Sequence, residues 1–314
     1  MQFASKRIAV IFNPKGGSAR GALIEQLEAA LTARGLALVR YTTTPAPCSA
    51  RDLAAEAGRT GVDLVIACGG DGTVCQAAEG LIGSGVPLAV MPAGTGNLFA
   101  RAFYARPDVP RLVDLIASGQ PQPIDMMRLT YTDLEGLPHE QLYLVALGLG
   151  KMSDAISGAS VEMKRRFGKL TYVVRMLAAA FNPDPVTYTF QTASGEKGGI
   201  DQENPPVTTR ASLVFAINAV PPAMATLSRG CNASDGLLDL VALKATGFFS
   251  LLQLSSRFLL GRPDLSPHYL RARTKVLRIN TDRPVCPNID GDPGRLTQSM
   301  QISTLPQAVK VLVS

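Results

Sequence analysis

The chain has 314 residues, enough for two domains, and its 46% hydrophobic and 18% charged residues are typical of a globular protein with an ample core. Basic residues outnumber acidic ones by 31 to 25, an excess that suits nucleotide phosphates and anionic membrane surfaces. Five widely spaced cysteines, two histidines and the lack of any apolar run of about 18 or more residues exclude a disulfide framework, a zinc site, a Ser-His-Asp hydrolase and a membrane-spanning helix.

The first part of the chain alternates apolar, strand-like runs with helix-like stretches. This alternation predicts a three-layer α/β domain at residues 1–124, because strands separated by helices favour a parallel sheet covered on both faces. The predicted strands are Ile8–Phe12, Leu36–Tyr41, Leu64–Cys68 and Val86–Met91, and the predicted helices are Gly21–Arg34, Ser49–Gly58, Val74–Leu81 and Pro107–Ile116.

A glycine-rich turn, Gly69–Thr73, separates the third strand from its helix. Glycines allow the backbone to approach a ligand closely, and the N–H groups at a helix N-terminus point at an anion. Asp71 adds a carboxylate that can hold Mg²⁺ or accept a proton from an attacking hydroxyl. A phosphate site is therefore the favoured interpretation, and a tight surface turn without a ligand is the weaker alternative.

Two more loops repeat this arrangement after other strands. Pro92–Asn97 follows the fourth strand, and Asn13–Ser18 follows the first. Open α/β sheets bind their ligands at the carboxyl ends of the strands, where all three loops are expected to meet. Together they predict one ligand site formed by several loops.

The composition changes near Gly119–Pro123, and strand-like runs separated by turns follow. They predict an antiparallel β-sandwich domain at residues 125–314, interrupted by helical inserts at Val161–Phe181 and Thr246–Leu260. The predicted strands are Asp125–Thr132, Gln141–Leu147, Val186–Thr192, Ala211–Val220, Leu237–Leu243, Lys275–Thr281 and Gln298–Val313.

The three loops together resemble those of the diacylglycerol kinase catalytic superfamily, which includes bacterial lipid kinases and the sphingosine and ceramide kinases. NAD kinases and phosphofructokinases share part of this loop pattern, whereas the Pro92–Asn97 loop and the later motifs favour the lipid kinases. The motifs that carry the resemblance are Asn13–Gly17, Gly69–Thr73, Pro92–Asn97, Phe167–Tyr172, Ser234–Leu240 and Ile289–Pro293.

This resemblance implies an NAD kinase/diacylglycerol kinase-like nucleotide-binding domain with ATP as cofactor. It places a nucleotide contact on a threonine after the second strand, for which Thr44 fits best and Thr43 competes; either could instead be a helix cap or a turn residue. The expected cofactor-binding residues are Asn13, Pro14, Lys15, Gly16, Gly17, Thr44, Gly69, Gly70, Asp71, Gly72, Thr73, Val74, Cys75, Gly94, Thr95 and Asn97.

Carboxylates near these motifs are the candidates for metal binding. Asp71 and Asp125 are expected to hold Mg²⁺ directly or through waters. The resemblance also implies a structural Mg²⁺ held by Asp235 and by the backbone carbonyls of Leu237 and Asn232, since hard cations prefer oxygen ligands. Without the resemblance, Asp235 is compatible with an ordinary type I turn.

Asp292 stands where the family usually has the glutamate that acts as general base. Aspartate is shorter by one methylene, roughly 1 Å of reach, and such a misplacement can lower a rate by orders of magnitude unless something compensates. A closer backbone or a bridging water would compensate. Alternatively, Asp71 is the base and Asp292 only supports it; Asp292 is the preferred assignment.

The resemblance therefore implies an ATP- and Mg²⁺-dependent kinase that phosphorylates a lipid hydroxyl, such as that of diacylglycerol, a sphingoid base or ceramide. We expect a cytoplasmic protein that contacts the anionic inner face of the membrane, with Lys164–Arg166 and Arg271–Lys275 as candidate basic surfaces. No nucleic-acid partner is expected, and a homodimer is left open. The alternatives are an NAD kinase and a non-catalytic nucleotide- or lipid-binding regulator.

Overall fold

The computed structural model of the protein describes residues 7–14, 18–46, 49–104, 108–150, 185–194, 202–244 and 247–313. The chain divides into two compact units. The first, here called the α/β unit, comprises residues 1–126 and 306–314, and the second, the β unit, comprises residues 127–305. Sequence analysis expected one boundary, at 124/125, and it gave no indication that the end of the chain returns to the first unit.

The helices and strands of the α/β unit lie close to the predicted positions, except for one short helix, Leu98–Phe103, which was not predicted. Its strands are β1 (Arg7–Phe12), β2 (Ala37–Thr42), β3 (Leu64–Gly69) and β4 (Leu88–Pro92), and its helices are α1 (Ser18–Thr32), α2 (Ser49–Arg59), α3 (Asp71–Gly80), α4 (Leu98–Phe103) and α5 (Val109–Ser118).

The β unit and the strands that lead into and out of it occupy most of the remaining chain. These strands are β5 (Pro121–Thr132), β6 (Pro138–Tyr143), β7 (Ala146–Gly150), β8 (Val186–Ser194), β9 (Gln202–Glu203), β10 (Val207–Ala211), β11 (Leu213–Ile217), β12 (Leu238–Leu243), β13 (Tyr269–Thr274), β14 (Val276–Val285), β15 (Asn288–Ile289), β16 (Asp292–Pro293) and β17 (Thr297–Leu312), and the helix α6 spans Phe248–Leu259.

The α/β unit is built on parallel strands in the order β2-β1-β3-β4. Every residue of β3 is buried, as expected for a central parallel strand that is covered by helices on both faces. The end of β17 continues this sheet, because Val311 pairs in parallel with Leu88 of β4. Tyr104 fixes this pairing: its hydroxyl donates to the carbonyl of Leu312 at 2.6 Å and accepts from the N–H of Val90 at 3.2 Å.

The β unit is an antiparallel sandwich. One sheet contains β10, β8, β14 and β17, with β5 and β6 beyond β17 and β9 beside β8, and the other has the order β13-β12-β11-β7-β15-β16. Side chains from both sheets form one buried cluster, for example Tyr188 and Ile279 from the first and Leu147 and Leu240 from the second. The expected fold class, an α/β domain followed by an antiparallel β-sandwich, is confirmed.

Two predicted strands differ from the observed ones. The run Gln141–Leu147 forms two strands in different sheets, because the backbone N–H groups of residues 144, 145 and 146 all turn toward the carboxylate of Asp290. The run Gln298–Val313 serves both units, and its last residues lie in the α/β sheet and not in the sandwich.

Two helical inserts were expected in the β unit. The second is observed as α6, and Val161–Phe181 lies outside the described residues, as do the motif Phe167–Tyr172 and the basic cluster Lys164–Arg166. Among the described helices, none has the length and apolar character that crossing a membrane requires.

Helices α2 and α3 pack closely because small residues line their contact. Ala50, Ala54 and Ala57 of α2 are buried, and a Cβ added at Gly80 of α3 would lie 2.2 Å from the carbonyl oxygen of Arg51. Glycine at position 80 therefore permits an approach that a side chain would prevent.

We expect Gly80→Ala to lower the free energy of unfolding by about 1–3 kcal/mol, because the added methyl overpacks the contact between α2 and α3. Gly21→Ala in α1 is the matched control: no described atom lies within 4 Å of its Cβ position, and alanine favours the helix by roughly 0.5–1 kcal/mol. Urea denaturation of the two variants measures both effects. Equal stability of the two variants would contradict the close packing at Gly80.

Candidate functional site

The turn between β3 and α3 is the centre of the candidate site. Gly69 ends the strand, Gly70 is the extended residue before the helix, and α3 begins at Asp71. A Cβ at Gly69 would lie 2.6–2.8 Å from the side chain of Thr73, so glycine lets Thr73 fold back beneath the turn. Thr73 is buried, and its Oγ1 accepts a hydrogen bond from Nδ2 of Asn13 at 2.9 Å. The loops that follow β1 and β3 are thus joined directly.

The loop between β4 and α4 meets the same turn through backbone atoms. A Cβ at Gly94 would lie 2.6 Å from the Cα of Gly70, which no side chain can accommodate. Asn97 holds this loop closed: its Oδ1 accepts from the N–H of Gly94 at 2.9 Å, and its Nδ2 donates to the carbonyl of Gly94 at 2.7 Å. Asn97 also has a positive φ of 47°, which asparagine tolerates better than most residues.

The carboxylate of Asp71 lies where these two loops meet. Its Oδ1 accepts from the N–H of Phe99 at 3.0 Å, and its Oδ2 is 3.0 Å from where a Cβ of Gly96 would stand. The side chain is half-buried, whereas the neighbouring Thr95 and Gly96 are exposed. An open backbone loop, a helix N-terminus and a carboxylate are therefore adjacent, and this set of donors fits a phosphate together with a divalent cation.

The remaining predicted nucleotide contacts have mixed surroundings. Val74 is buried, and its N–H donates to the carbonyl of Gly70, so it belongs to the first turn of α3. Thr44 is exposed, and its hydroxyl accepts from the N–H of Ala46 at 3.3 Å, which is the arrangement of a turn residue. Gly72 and Cys75 are half-buried within α3, and Pro14 is exposed after β1. Lys15, Gly16 and Gly17 lie outside the described residues.

Asp292 follows a tight hairpin turn in the β unit. Ile289 pairs with Asp292, and the two residues between them, Asp290 and Gly291, have positive φ values of 50° and 102°. Two-residue hairpin loops of this kind favour Asp-Gly. Asp292 is exposed at the start of β16, so its carboxylate is available to a reacting group.

Asp290 is a residue whose importance was missed from the sequence. Its carboxylate is almost fully buried and accepts three backbone hydrogen bonds, from Leu144 at 2.8 Å and from Val145 and Ala146 at 2.9 Å. The backbone N–H of Asp290 donates in turn to the carbonyl of Ala146. Burial raises the pKa of the nearby Tyr143 hydroxyl, and the charge of Asp290 raises it further. Asp290 therefore anchors the hairpin that carries Asp292.

Comparisons with known proteins show which family the α/β unit is similar to. Residues 7–129 match the diacylglycerol kinase catalytic domain. The chain is similar to the diacylglycerol kinase of Bacillus subtilis, with 25% identity over 298 residues that cover 92% of this chain and 90% of that protein. The diacylglycerol kinase of Mycobacterium tuberculosis is 27% identical over 314 residues, covering 98% and 94%. The resemblance that the motifs predicted is confirmed.

Solved structures agree on the fold. A diacylglycerol kinase from Bacillus anthracis has a TM-score of 0.65 at 22% identity, covering 98% of this chain and 97% of that one. Yeast NADH kinase, solved with NADH, has a TM-score of 0.51 at 13% identity, covering 98% and 82%. The fold of this chain is therefore shared by one protein named as a diacylglycerol kinase and by another named as an NADH kinase.

The structural cation that the diacylglycerol kinase resemblance implies does not fit the loop around Asp235 as it stands here. Oδ1 of Asp235 accepts from the N–H of Leu237 at 3.0 Å, and Oδ2 is paired with the guanidinium of Arg273. The side-chain oxygen of Asn232 accepts from Ser234. Arg273 already supplies the positive charge that a cation would bring, and the described residues contain no cluster of three or more metal-ligating side chains.

The arginines of this region pair with aspartates of the same unit. Asp239 is buried and pairs with Arg271 at 2.9 Å and with Arg273 at 3.2 Å. Burial raises the pKa of the adjacent Cys231 thiol to about 12, with a smaller contribution from the charge of Asp239. The thiol therefore stays protonated at neutral pH. The basic cluster Arg271–Lys275 was considered as a lipid-facing surface, but two of its arginines neutralise aspartates of the same unit.

Asp125, the second predicted ligand for Mg²⁺, is fully buried and lies in space beside Gln307. Its Oδ1 accepts from the N–H of Gln307 at 2.7 Å, and Gln307 has a positive φ of 51°. The carboxylate therefore supports the turn from which β17 continues into the α/β sheet. Binding of Mg²⁺ by Asp125 remains a prediction beside this structural role.

We expect Asp290→Asn to lower the free energy of unfolding by about 2–3 kcal/mol, because one amide oxygen cannot accept all three N–H groups of residues 144–146. The matched control is Asp292→Asn in the same hairpin. It changes an exposed side chain and should stay within about 0.5 kcal/mol of the original protein. Urea denaturation checks both, and an unaffected Asp290→Asn variant would remove the anchoring role.

Proposed function

We propose that this protein is an ATP-dependent lipid kinase that transfers the γ-phosphoryl group of ATP to the hydroxyl of a lipid alcohol, such as diacylglycerol, a sphingoid base or ceramide. The single observation that carries the proposal is the backbone approach of Gly70 to Gly94 beside the carboxylate of Asp71. The match to the diacylglycerol kinase catalytic domain and the relatives named as diacylglycerol kinases support the lipid acceptor.

The residues of the α/β unit have the chemistry that binding and orienting a triphosphate requires. Backbone N–H groups at the start of α3 favour negative charge there. The hydrogen bonds of Asn13 and Asn97 fix the loops before a ligand arrives, so less order has to be gained on binding. A bound Mg²⁺ would supply positive charge to the phosphates, and we assign its binding to the carboxylate of Asp71.

A second carboxylate has to accept the proton of the lipid hydroxyl as the new O–P bond forms and the bond to the ADP oxygen breaks. We assign this role to Asp292, because it is exposed and the resemblance places the family's base at that position. One oxygen of Asp71 is committed to the N–H of Phe99, which suits a positioning ligand better than a proton acceptor.

The activity is tested by transfer of labelled γ-phosphate from ATP, with Mg²⁺, to a lipid extract in detergent, with NAD in a parallel tube. Label in the organic phase supports the lipid kinase. The likeness of the fold to yeast NADH kinase makes NAD phosphorylation the second candidate, and label on NAD alone would establish it. Label in neither tube, with ATP still bound, would leave a nucleotide-binding regulator.

We expect Asp292→Asn to lower kcat by about a hundredfold or more with little change in the KM for ATP, because an amide cannot accept the proton. Asp71→Asn should raise the KM for MgATP and also lower kcat, while its amide oxygen still accepts from Phe99. Steady-state kinetics separate the two effects. Retained activity in Asp292→Asn, with none in Asp71→Asn, would move the base to Asp71.

We expect Gly94→Ala to weaken ATP binding by about tenfold to a hundredfold. The added methyl would push the loop Pro92–Asn97 away from Gly70 and misplace the phosphate donors. Gly21→Ala, at an open position of α1, is the control and should bind ATP normally. Isothermal titration with a non-hydrolysable ATP analogue measures both. Unchanged affinity in Gly94→Ala would show that the two loops do not bind the nucleotide together.

A further inference from the structure

Helix α6 of the β unit presents large apolar side chains to solvent. The exposed fractions are 83% for Phe249, 54% for Leu252 and 70% for both Leu259 and Leu260. We call these four side chains the α6 face. Only the other side of the helix, with Leu251 and Leu254, is buried. An exposed apolar surface of this kind indicates a contact with a partner or a membrane.

The α6 face carries no charge. With 3.6 residues per turn, positions 249, 252, 256 and 259 follow one another along the same side of the helix, and 253 and 260 flank them. The only polar side chains among these are Gln253 and Ser256. Helix α6 is therefore apolar on its buried side and largely apolar on its exposed side, which is unusual for a helix that faces water alone.

Basic side chains lie around the end of this face. Arg257 is in the last turn of α6, and Arg262 follows it. The guanidinium of Arg229 lies beside the turn at Gly261, 2.8 Å from where a Cβ of that glycine would stand. Within the described residues, none of these three arginines forms an ion pair with a carboxylate, in contrast to Arg271 and Arg273. One exposed acid, Asp264, is nearby in sequence.

We propose that the α6 face docks on an anionic lipid surface. Phe249, Leu252, Leu259 and Leu260 enter the boundary between headgroups and acyl chains, and Arg229, Arg257 and Arg262 pair with lipid phosphates. Apolar side chains surrounded by arginines suit such a surface, because burial and attraction to anionic lipid act together. A second copy of this chain would bring the same three arginines into contact with one another. This docking deepens the proposed function, since it would bring the kinase to its lipid acceptor.

The decisive measurement uses Phe249→Trp in the full chain. The protein has no tryptophan, so the new side chain is the sole indole reporter. We expect its fluorescence to shift to shorter wavelength with phosphatidylglycerol vesicles, less with phosphatidylcholine vesicles, and to be quenched by brominated acyl chains. Emission that is already blue without lipid and unmoved by vesicles would overturn the proposal. If this blue emission then depended on protein concentration, the α6 face would contact a second copy of the chain. If it did not, the face would be covered by another part of the same chain.

Variants measure each part of the surface by vesicle flotation. Phe249→Ser with Leu252→Ser should weaken binding by about tenfold or more. Arg257→Gln with Arg262→Gln should weaken binding to anionic vesicles by about fivefold per arginine and reduce its sensitivity to salt. The matched control is Leu134→Ser with Leu137→Ser, two leucines of the same unit that are each 54% exposed. Equal binding by the α6 and control variants would contradict the proposal.

Kinase activity toward a short-chain, monomeric lipid alcohol separates this proposal from the proposed function. The α6 variants should retain that activity while losing vesicle binding. Vesicle binding through α6 without any kinase activity would remove the proposed function and leave the docking surface. Kinase activity together with vesicle binding that the α6 variants do not weaken would support the proposed function and remove the docking surface.

Discussion

The close approach of Gly70 and Gly94 is the constraint on which the candidate site depends. The parallel pairing of β3 with β4 brings the ends of both strands to the same edge of the sheet, and the N–H of Ala93 continues the pairing to the carbonyl of Gly69. Beyond that point the backbones of the two loops meet at Gly70 and Gly94. A side chain at Gly94 would separate the loops, and Asp71 could not then lie against both.

In the β unit, a buried carboxylate and not a pair of glycines holds neighbouring backbone segments together. Asp290 gathers the three N–H groups of residues 144–146 with one buried carboxylate, so a hairpin and the link between β6 and β7 are held by the same side chain. A buried charge is costly unless it is fully hydrogen-bonded, and here it is. The neighbouring exposed residue, Asp292, keeps its carboxylate available. The position of Asp292, the base of the proposed reaction, is thus determined by a residue that has no proposed part in the chemistry.

Patterns that act within a short segment could be predicted from the sequence, and contacts between distant segments could not. Apolar runs predicted the strands of the α/β unit and many of those of the β unit, and the glycine-rich loops predicted the candidate site, because each signal lies within about ten residues. The pairing of Arg273 with Asp235 joins positions far apart in the chain, and nothing in either segment indicates it. The same holds for the return of residues 306–312 to β4. Periodicity alone could not tell which side of α6 is buried, because both sides of the helix are apolar.

The return of β17 has a consequence for how the protein is made. The parallel neighbour of β4 follows the whole β unit in the chain, and Tyr104 receives its partner, the carbonyl of Leu312, only after 208 further residues have been synthesised. Until residues 306–312 leave the ribosome, β4 is an open edge of a nearly complete parallel sheet, and open edges promote pairing with other chains. Most of the α/β unit precedes the β unit in the sequence, yet the α/β unit is completed only after the β unit has been synthesised. Nascent chains that stall before residue 306 would therefore be prone to aggregate through β4.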